Sequence, residues 1–188
     1  ACGQSIYRGN KFPYDSRGAY FFCDPTIHVV RRAYVEYPDG KLMLRKAEPE
    51  GMEFLRSSDF NSRFINTAVG PDGCLYVTDM YRGIIQDAPW YNEGNREFAR
   101  KTGVNKHIQM GRIWRIRHKD HQPLVEKPKM LDESTEELVR HLQNPIGWWR
   151  DTAQKLILLR EDREKAIPLL EGLFRFTQSP IPRMHALW

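Results

Sequence analysis

A Gly-Pro-Asp-Gly corner between two apolar runs constrains the fold of this chain more than any other feature. The sequence FINTAVGPDGCLYVTD occupies residues 64–79. Pro71 presets φ for a turn, and Asp72 can bond its own backbone. Gly70 and Gly73 tolerate a positive φ. The residues after the corner are β-formers whose side chains alternate between two faces, so the stretch predicts a β-hairpin.

Short β-prone runs recur through the first 118 residues at the spacing of a meander sheet. Asp39-Gly40 separates VRRAYVEY from KLMLRK, and GRIWRIRH closes the series. Strands are predicted at residues 5–8, 19–23, 27–37 and 41–46, in the hairpin and at 112–117. Residues 48–61 form a connector, and NREFARK at 95–101 is predicted to be a short helix in a long insertion. Two antiparallel four-stranded sheets cannot bury both faces alone, which favours two blades of a radial array.

The composition becomes helical after a linker rich in proline and lysine. The sequence from Ser134 to Glu137 is a capping box, which predicts the start of a helix. Two apolar faces follow at helical spacing: Ile146, Trp149, Ala153, Leu156 and Ile157 in one helix, and Ala166, Leu170, Leu173 and Phe174 in another. In the Trp148-Trp149 pair, one ring is expected in the core and its neighbour partly exposed, against the alternative of a carbohydrate platform.

A weak internal repeat links the helices. Arg150 and Ala153 recur as Arg183 and Ala186, an offset of 33 residues. This is the period of paired-helix solenoids. The predicted fold class is therefore mixed, β then α. The domains are β-propeller blades at 1–118, a linker at 119–132, and truncated HEAT-like helical repeats at 133–188.

Five motifs follow one another in the first 118 residues: ACGQSIYRG, FPYDSRGAYFFCDP, VVRR, SRFINTAVGPDGCLYVTDMYRGIIQ and GRIWRI. Their order resembles the last two blades of glucose/sorbosone-dehydrogenase β-propellers. The similarity is greatest to the variant in large exported bacterial proteins that are loosely called membrane-bound dehydrogenases. In those proteins helical HEAT-type repeats, and often a haem c domain, follow the propeller.

The resemblance implies a cofactor site. In the sugar-dehydrogenase propellers, pyrroloquinoline quinone lies over the central channel and arginines reach its carboxylates, a pairing that suits the planar guanidinium. Arg63 matches the first of these arginines, whereas Ile65 occupies the position of its partner. The alternative role for Arg63 is a structural ion pair. The quinone and calcium are expected only in the full-length parent, and the catalytic base would lie in other blades.

Three further residues stand at the end of the hairpin, where propeller sites commonly lie. Asp79, Tyr81 and Arg82 are candidates for substrate binding at the channel mouth. The alternative is an Asp79–Arg82 pair that stabilises the turn.

Other residue classes point to no further chemistry. The six histidines have no paired-ligand spacing, so no metal site is predicted. Cys2, Cys23 and Cys74 lack metal spacing; they are either one disulfide with a free thiol, or buried small hydrophobes. Residues 119–188 hold 11 basic and 11 acidic side chains, so the net charge of +5 arises in the β part. No nucleic-acid motif accompanies it, and no nucleic-acid partner is expected.

Two functions of different classes follow. The first is a piece of an exported or periplasmic quinone-dependent sugar or alcohol dehydrogenase, which supplies blades and a helical docking arm and passes electrons to a c-type cytochrome. The second is a non-catalytic propeller–solenoid scaffold that binds proteins or glycans. No transmembrane segment is predicted. The chain begins inside a strand pattern and stops within a helical one, so we expect an internal piece whose Trp188 is covered by further residues or another chain.

Overall fold

The computed structural model describes residues 2–85, 88–122 and 127–188, and it consists of antiparallel sheets followed by helices. This confirms the predicted order of β then α. The strands in these ranges are β1 Cys2–Ile6, β2 Tyr20–Asp24, β3 Val29–Glu36, β4 Met43–Lys46, β5 Leu55–Arg56, β6 Phe64–Val69, β7 Leu75–Asp79 and β8 Arg112–Ile116. The α-helices in the same ranges are α1 Glu93–Thr102, α2 Thr135–His141, α3 Gly147–Leu159, α4 Ala166–Phe176 and α5 Pro180–Leu187.

The first sheet is a meander in which β1, β2, β3 and β4 pair in chain order. Tyr20 lies opposite Ala33 in the pairing of β2 with β3, and every second residue along β2 is buried. Phe21 and Cys23 are the buried members of β2, as the alternation of side chains in a half-buried strand requires. The core of this sheet therefore lies on one face.

Among the described residues, the second sheet consists of three strands in the order β6, β7 and β8. The sequence predicts four strands for this sheet. The predicted hairpin is confirmed. Gly73 adopts φ +78°, and its N–H donates to the Gly70 carbonyl at 3.0 Å. The Cys74 N–H donates to Oδ1 of Asp72 at 3.0 Å, so the Asp72 side chain bonds its own turn as expected.

Several boundaries differ from the predicted ones because pairing between distant residues sets them. β1 ends at Ile6 rather than Arg8, since it follows the register of β2. The connector at 48–61 contains β5, which pairs with Val29 and Val30 of β3. The insertion helix α1 begins two residues early, because the Asn92 side chain accepts the Asn95 N–H and caps it.

The chain forms two compact units. The first comprises Ala1–Tyr7, Tyr14–Ala68 and Leu75–Ile116, and the second comprises Arg8–Pro13, Val69–Cys74 and Arg117–Trp188. The second unit therefore contains all four C-terminal helices together with two short segments from earlier in the chain. Among the described residues, no helix is long and apolar enough to cross a membrane.

The helical core follows the predicted faces with one exception. Trp149 and Ala153 of α3 are buried with Leu138 and Leu142. The capping box is confirmed, since the Ser134 side chain accepts from Glu137 N and the Glu137 side chain accepts from Ser134 N. Phe174 was predicted to face inward, but it is 38% exposed. Its ring lies under the Arg183 guanidinium of α5, 5.2 Å from ring centroid to Cζ, so it packs on its neighbour rather than in the core.

The corner segment at residues 69–74 packs within the second unit against α3. The buried indole of Trp149 donates its Nε1–H to the Pro71 carbonyl at 2.8 Å. Arg8 bonds the same helix: its carbonyl accepts the Gly147 N–H at 2.8 Å, and its guanidinium pairs with Asp151. A Cβ on Gly147 would meet the Arg8 Cβ at 2.8 Å, so glycine is required at this close approach.

Replacing Trp149 with Phe is expected to destabilise the second unit by about 1–3 kcal/mol, because the partly buried Pro71 carbonyl would lose its indole donor. Urea unfolding followed by circular dichroism measures the change. Trp148→Phe is the matched control, since Trp148 is only half-buried. An equal loss of stability in both variants would show that the indole N–H contributes nothing specific.

His185 is expected to make the stability of the helical unit depend on pH. Burial and the Arg150 charge lower the pKa of this imidazole from its ordinary value of 6.5. The unfolded chain therefore binds a proton first, so stability is fully present above pH 6.5 and falls as the pH drops towards the native pKa. Thermal unfolding between pH 7 and 5 should show this decline, and His185→Gln should reduce it.

Candidate functional site

The carboxylate of Asp79 lies at the end of β7 and accepts four hydrogen bonds. Oδ1 accepts the Arg63 N–H at 2.7 Å and the Tyr81 N–H at 2.9 Å. Oδ2 accepts the Ser62 hydroxyl at 3.0 Å and the Trp114 indole N–H at 3.1 Å. Asp79 is 2% exposed, so these donors replace the water that a carboxylate would otherwise bind.

The guanidinium of Arg63 donates mainly to backbone carbonyls. Nε donates to the Arg82 carbonyl at 3.0 Å, Nη1 to Pro25 at 2.8 Å and Nη2 to Gly83 at 2.6 Å. Arg63 is 4% exposed, and its guanidinium also lies over the Phe60 ring at 5.1 Å. Burial lowers the pKa of this guanidinium, and the negative charge of Asp79 opposes that shift.

His28 completes the surroundings of Arg63. Its Nδ1 lies 2.7 Å from the Ser62 carbonyl, and its Nε2 lies 3.3 Å from Nη1 of Arg63. A carbonyl only accepts, so Nδ1 carries the proton and Nε2 accepts from the guanidinium. Both ring nitrogens are therefore engaged in holding the loop that contains Arg63.

Tyr81 and Arg82 lie at the edge of this cluster. The Arg112 guanidinium stacks on the Tyr81 ring at 3.6 Å from its centroid, a cation–π contact. A hydrogen bond to Tyr81 contributes to the lowered pKa of Asp59, after the larger effect of the Asn61 backbone N–H. Arg82 is exposed, and among the described residues it forms no ion pair with Asp79. Asp79 stabilises the turn through the Tyr81 backbone instead.

Two residues of the cluster have strained backbones. His28 adopts φ +60° and Tyr81 adopts φ +47°, values that residues with a Cβ seldom take. Such strain persists only where the surroundings enforce it, and it is frequent at functional sites. Here the hydrogen bonds to His28 Nδ1 and to the Tyr81 N–H supply that enforcement.

The arrangement connects loops rather than presenting reactive groups. All the oxygens of Asp79 and both nitrogens of His28 are bonded inside the protein. Both bidentate edges of the Arg63 guanidinium face internal acceptors, so this arrangement does not fit a paired contact with a pyrroloquinoline quinone carboxylate. No group of three potential metal ligands occurs in the described ranges. The cluster ties together the loops at residues 25–28, 59–63 and 79–83.

Sequence reasoning singled out Arg63, Asp79, Tyr81 and Arg82. The structure brings them together, Tyr81 and Arg82 through their backbone groups, and leaves the Arg82 side chain exposed. It missed His28, which carries no spacing motif, and Trp114, which reaches Asp79 from β8. Only the apolar alternation of β8 is visible in the sequence, and that pattern gives no sign of the indole N–H contact. Both contacts join residues at least 35 positions apart.

Comparison with known proteins places the first part of the chain in a family. The sequence pattern of a family described as a domain of unknown function, DUF7133, matches residues 1–120. No curated protein and no solved structure matches the chain significantly.

Replacing Asp79 with Asn is expected to destabilise the first unit by about 1–3 kcal/mol, because a buried donor loses its acceptor. Whichever way the amide turns, its NH₂ faces either the Trp114 indole or two backbone N–H groups, and none of these can rotate to accept. Thermal unfolding measures the loss. Asp39→Asn on an exposed turn is the matched control, since Asn tolerates a positive φ. Unchanged stability in Asp79→Asn would contradict the four-donor arrangement.

Proposed function

The chain belongs to the DUF7133 family, and we propose that it supplies two neighbouring β-propeller blades and the first helices of a HEAT-like solenoid, acting as a scaffold for binding other proteins or glycans. The parent would be an exported or periplasmic protein, and the remaining blades or other subunits would be its partners. The observation that carries the proposal is that the Asp79 carboxylate, the Arg63 guanidinium and the His28 imidazole are all hydrogen-bonded to other groups of the protein.

The strand arrangement supports the propeller part of the proposal. Strands β1 to β4 of the first sheet and β6 to β8 of the second pair in chain order, as in a blade, and the short β5 is added beside β3. The first strands of the two sheets also lie side by side: the Ser5 and Thr67 hydroxyls are 2.7 Å apart. In a propeller the first strand of each blade faces the central channel, and first strands of consecutive blades are neighbours. β1 and β6 fit those positions.

The helix arrangement supports the solenoid part. α2 packs against α3, α4 against α5, and α2 against α4, which is the stacking of helix pairs. The repeated arginines have different contacts, however. Arg150 is buried and donates to the Asn144 carbonyl at 2.5 Å, whereas Arg183 covers Phe174. The second copy of the repeat therefore packs less tightly than the first.

The scaffold role has the stronger physical support because a quinone site needs groups that are not already satisfied. Moving the Arg63 guanidinium towards a ligand would leave the carbonyls of Pro25, Arg82 and Gly83 without their donor. The bond to the Gly83 carbonyl is the buried one of the three, and a buried unsatisfied carbonyl costs about 1–3 kcal/mol, so the exchange is unfavourable unless the loops also move.

A quinone-dependent sugar or alcohol dehydrogenase is the second candidate, and one observation favours it. His28 and Tyr81 both have strained backbones, Tyr81 forms a partly exposed stack with Arg112, and strain of this kind is frequent at functional sites. Such a parent would bind pyrroloquinoline quinone and calcium and transfer electrons to a c-type cytochrome. The motif order provides its remaining support.

Titration with pyrroloquinoline quinone and calcium separates the two candidates. We expect no saturable heat of binding by calorimetry, and no dye reduction with sugars or alcohols as substrates. Arg63→Gln tests the buried guanidinium, and Arg82→Gln is the exposed control. Saturable quinone binding to the unaltered chain would contradict the scaffold proposal, and its loss in Arg63→Gln alone would establish Arg63 as a ligand.

A further inference from the structure

Two cysteines face each other across the first pair of strands. In the register of β1 with β2, Cys2 lies directly opposite Cys23. Directly opposed residues of antiparallel strands have Cα atoms about 4.5 or 5.5 Å apart, depending on the hydrogen-bonding site. Disulfides span Cα distances of about 4.4–6.8 Å, so both kinds of opposed pair fall within the range that a disulfide bridges.

A bulge at Gly3 creates this opposition. Gln4 pairs with Phe22, so an unbroken ladder would place Gly3 opposite Cys23 and Cys2 opposite Asp24. Gly3 instead adopts φ +50° and is the extra residue of the strand. A Cβ at this position would lie 1.8 Å from the Ile65 carbonyl oxygen, so only glycine fits. The bulge places Cys2 opposite Cys23, with both side chains on the same face of the sheet.

We propose that Cys2 and Cys23 form a disulfide that fastens β1 to β2. This inference is independent of the scaffold proposal, since it rests on strand register and not on the Asp79 cluster. The disulfide would be a covalent bond that follows neither from the predicted fold class nor from membership of the family. A structural disulfide also belongs to an oxidising compartment, and this agrees with the proposed exported location.

The difference in exposure between the two thiols sets the order of the reaction. Cys2 is exposed and Cys23 is fully buried. The Cys2 thiolate attacks a small-molecule disulfide such as oxidised glutathione, forms a mixed disulfide and releases one glutathione thiolate. The Cys23 thiolate then attacks the Cys2 sulfur and releases the second glutathione. Two protein thiols are oxidised, and one glutathione disulfide is reduced to two thiols.

The second step is expected to be slow. Burial and the neighbouring Cys2 raise the pKa of the Cys23 thiol to about 12. At pH 8 roughly one Cys23 in ten thousand would then be a thiolate, which limits ring closure. Raising the pH by one unit should speed closure about tenfold until the pH approaches this pKa. The mixed disulfide should therefore accumulate before the ring closes.

The test uses the whole chain, equilibrated with oxidised and reduced glutathione and then alkylated. Mass spectrometry should show the loss of two hydrogens, and protease digestion should yield a peptide that joins Cys2 to Cys23. The bond closes a loop of about 20 residues, so oxidation is expected to raise the thermal unfolding midpoint by roughly 6–12 °C.

Three variants provide the controls. Cys74→Ala should keep the linked peptide and the rise in midpoint, whereas Cys2→Ser and Cys23→Ala should lose both. Cys2→Ser changes only an exposed side chain, so it should fold even if Cys23→Ala does not. The proposal is overturned if the oxidised chain keeps both thiols, if a linked peptide contains Cys74, or if Cys2→Ser retains the rise in midpoint.

Discussion

The four hydrogen bonds that the buried Asp79 carboxylate accepts hold the loops of the first unit in place. Its four donors come from the two residues before β6, the turn after β7 and the middle of β8, so one side chain fixes three segments of the second sheet. Holding the Arg63 backbone also places the Arg63 side chain, whose guanidinium then reaches Pro25 in the turn between β2 and β3. The two sheets are therefore connected through two successive links: the Asp79 carboxylate holds the Arg63 backbone, and the Arg63 guanidinium bonds the Pro25 carbonyl.

Buried charges are costly, and a well-packed apolar group is often as stabilising. The loops around Arg63 explain why a charge is kept. The carbonyls of Pro25, Arg82 and Gly83 all accept from this one guanidinium; the bond to Gly83 is buried and the other two are partly buried. Arginine alone among the side chains carries five donors in a planar fork, so one residue can satisfy carbonyls from separate loops. An apolar replacement would leave all three without a donor.

Local chemistry was predictable from the sequence, and distant pairing was not. The corner at residues 70–73 and the capping box at Ser134 are each specified within a few positions, and both occur as predicted. The end of β1 and the existence of β5 depend on registers with residues far along the chain. The sequence therefore identified Arg63 and Asp79 as important, but it could not show that their bonding groups face inward. The contact of Trp114 with Asp79 was not predicted, because the alternation of residues along β8 indicates only a strand.

Gly3 shows how backbone geometry decides which side chains meet. Its positive φ and its contact with the backbone of Ile65 and Asn66 put β1 against β6, and the same bulge shifts Cys2 by one position relative to β2. One residue therefore determines both the approach of the two sheets and the facing of two thiols. A side chain at this position would force β1 away from β6, and straightening the bulge would restore Asp24 as the partner of Cys2. The close approach of the two sheets and the pairing of Cys2 with Cys23 therefore both depend on a residue without a Cβ at position 3, and only glycine has none.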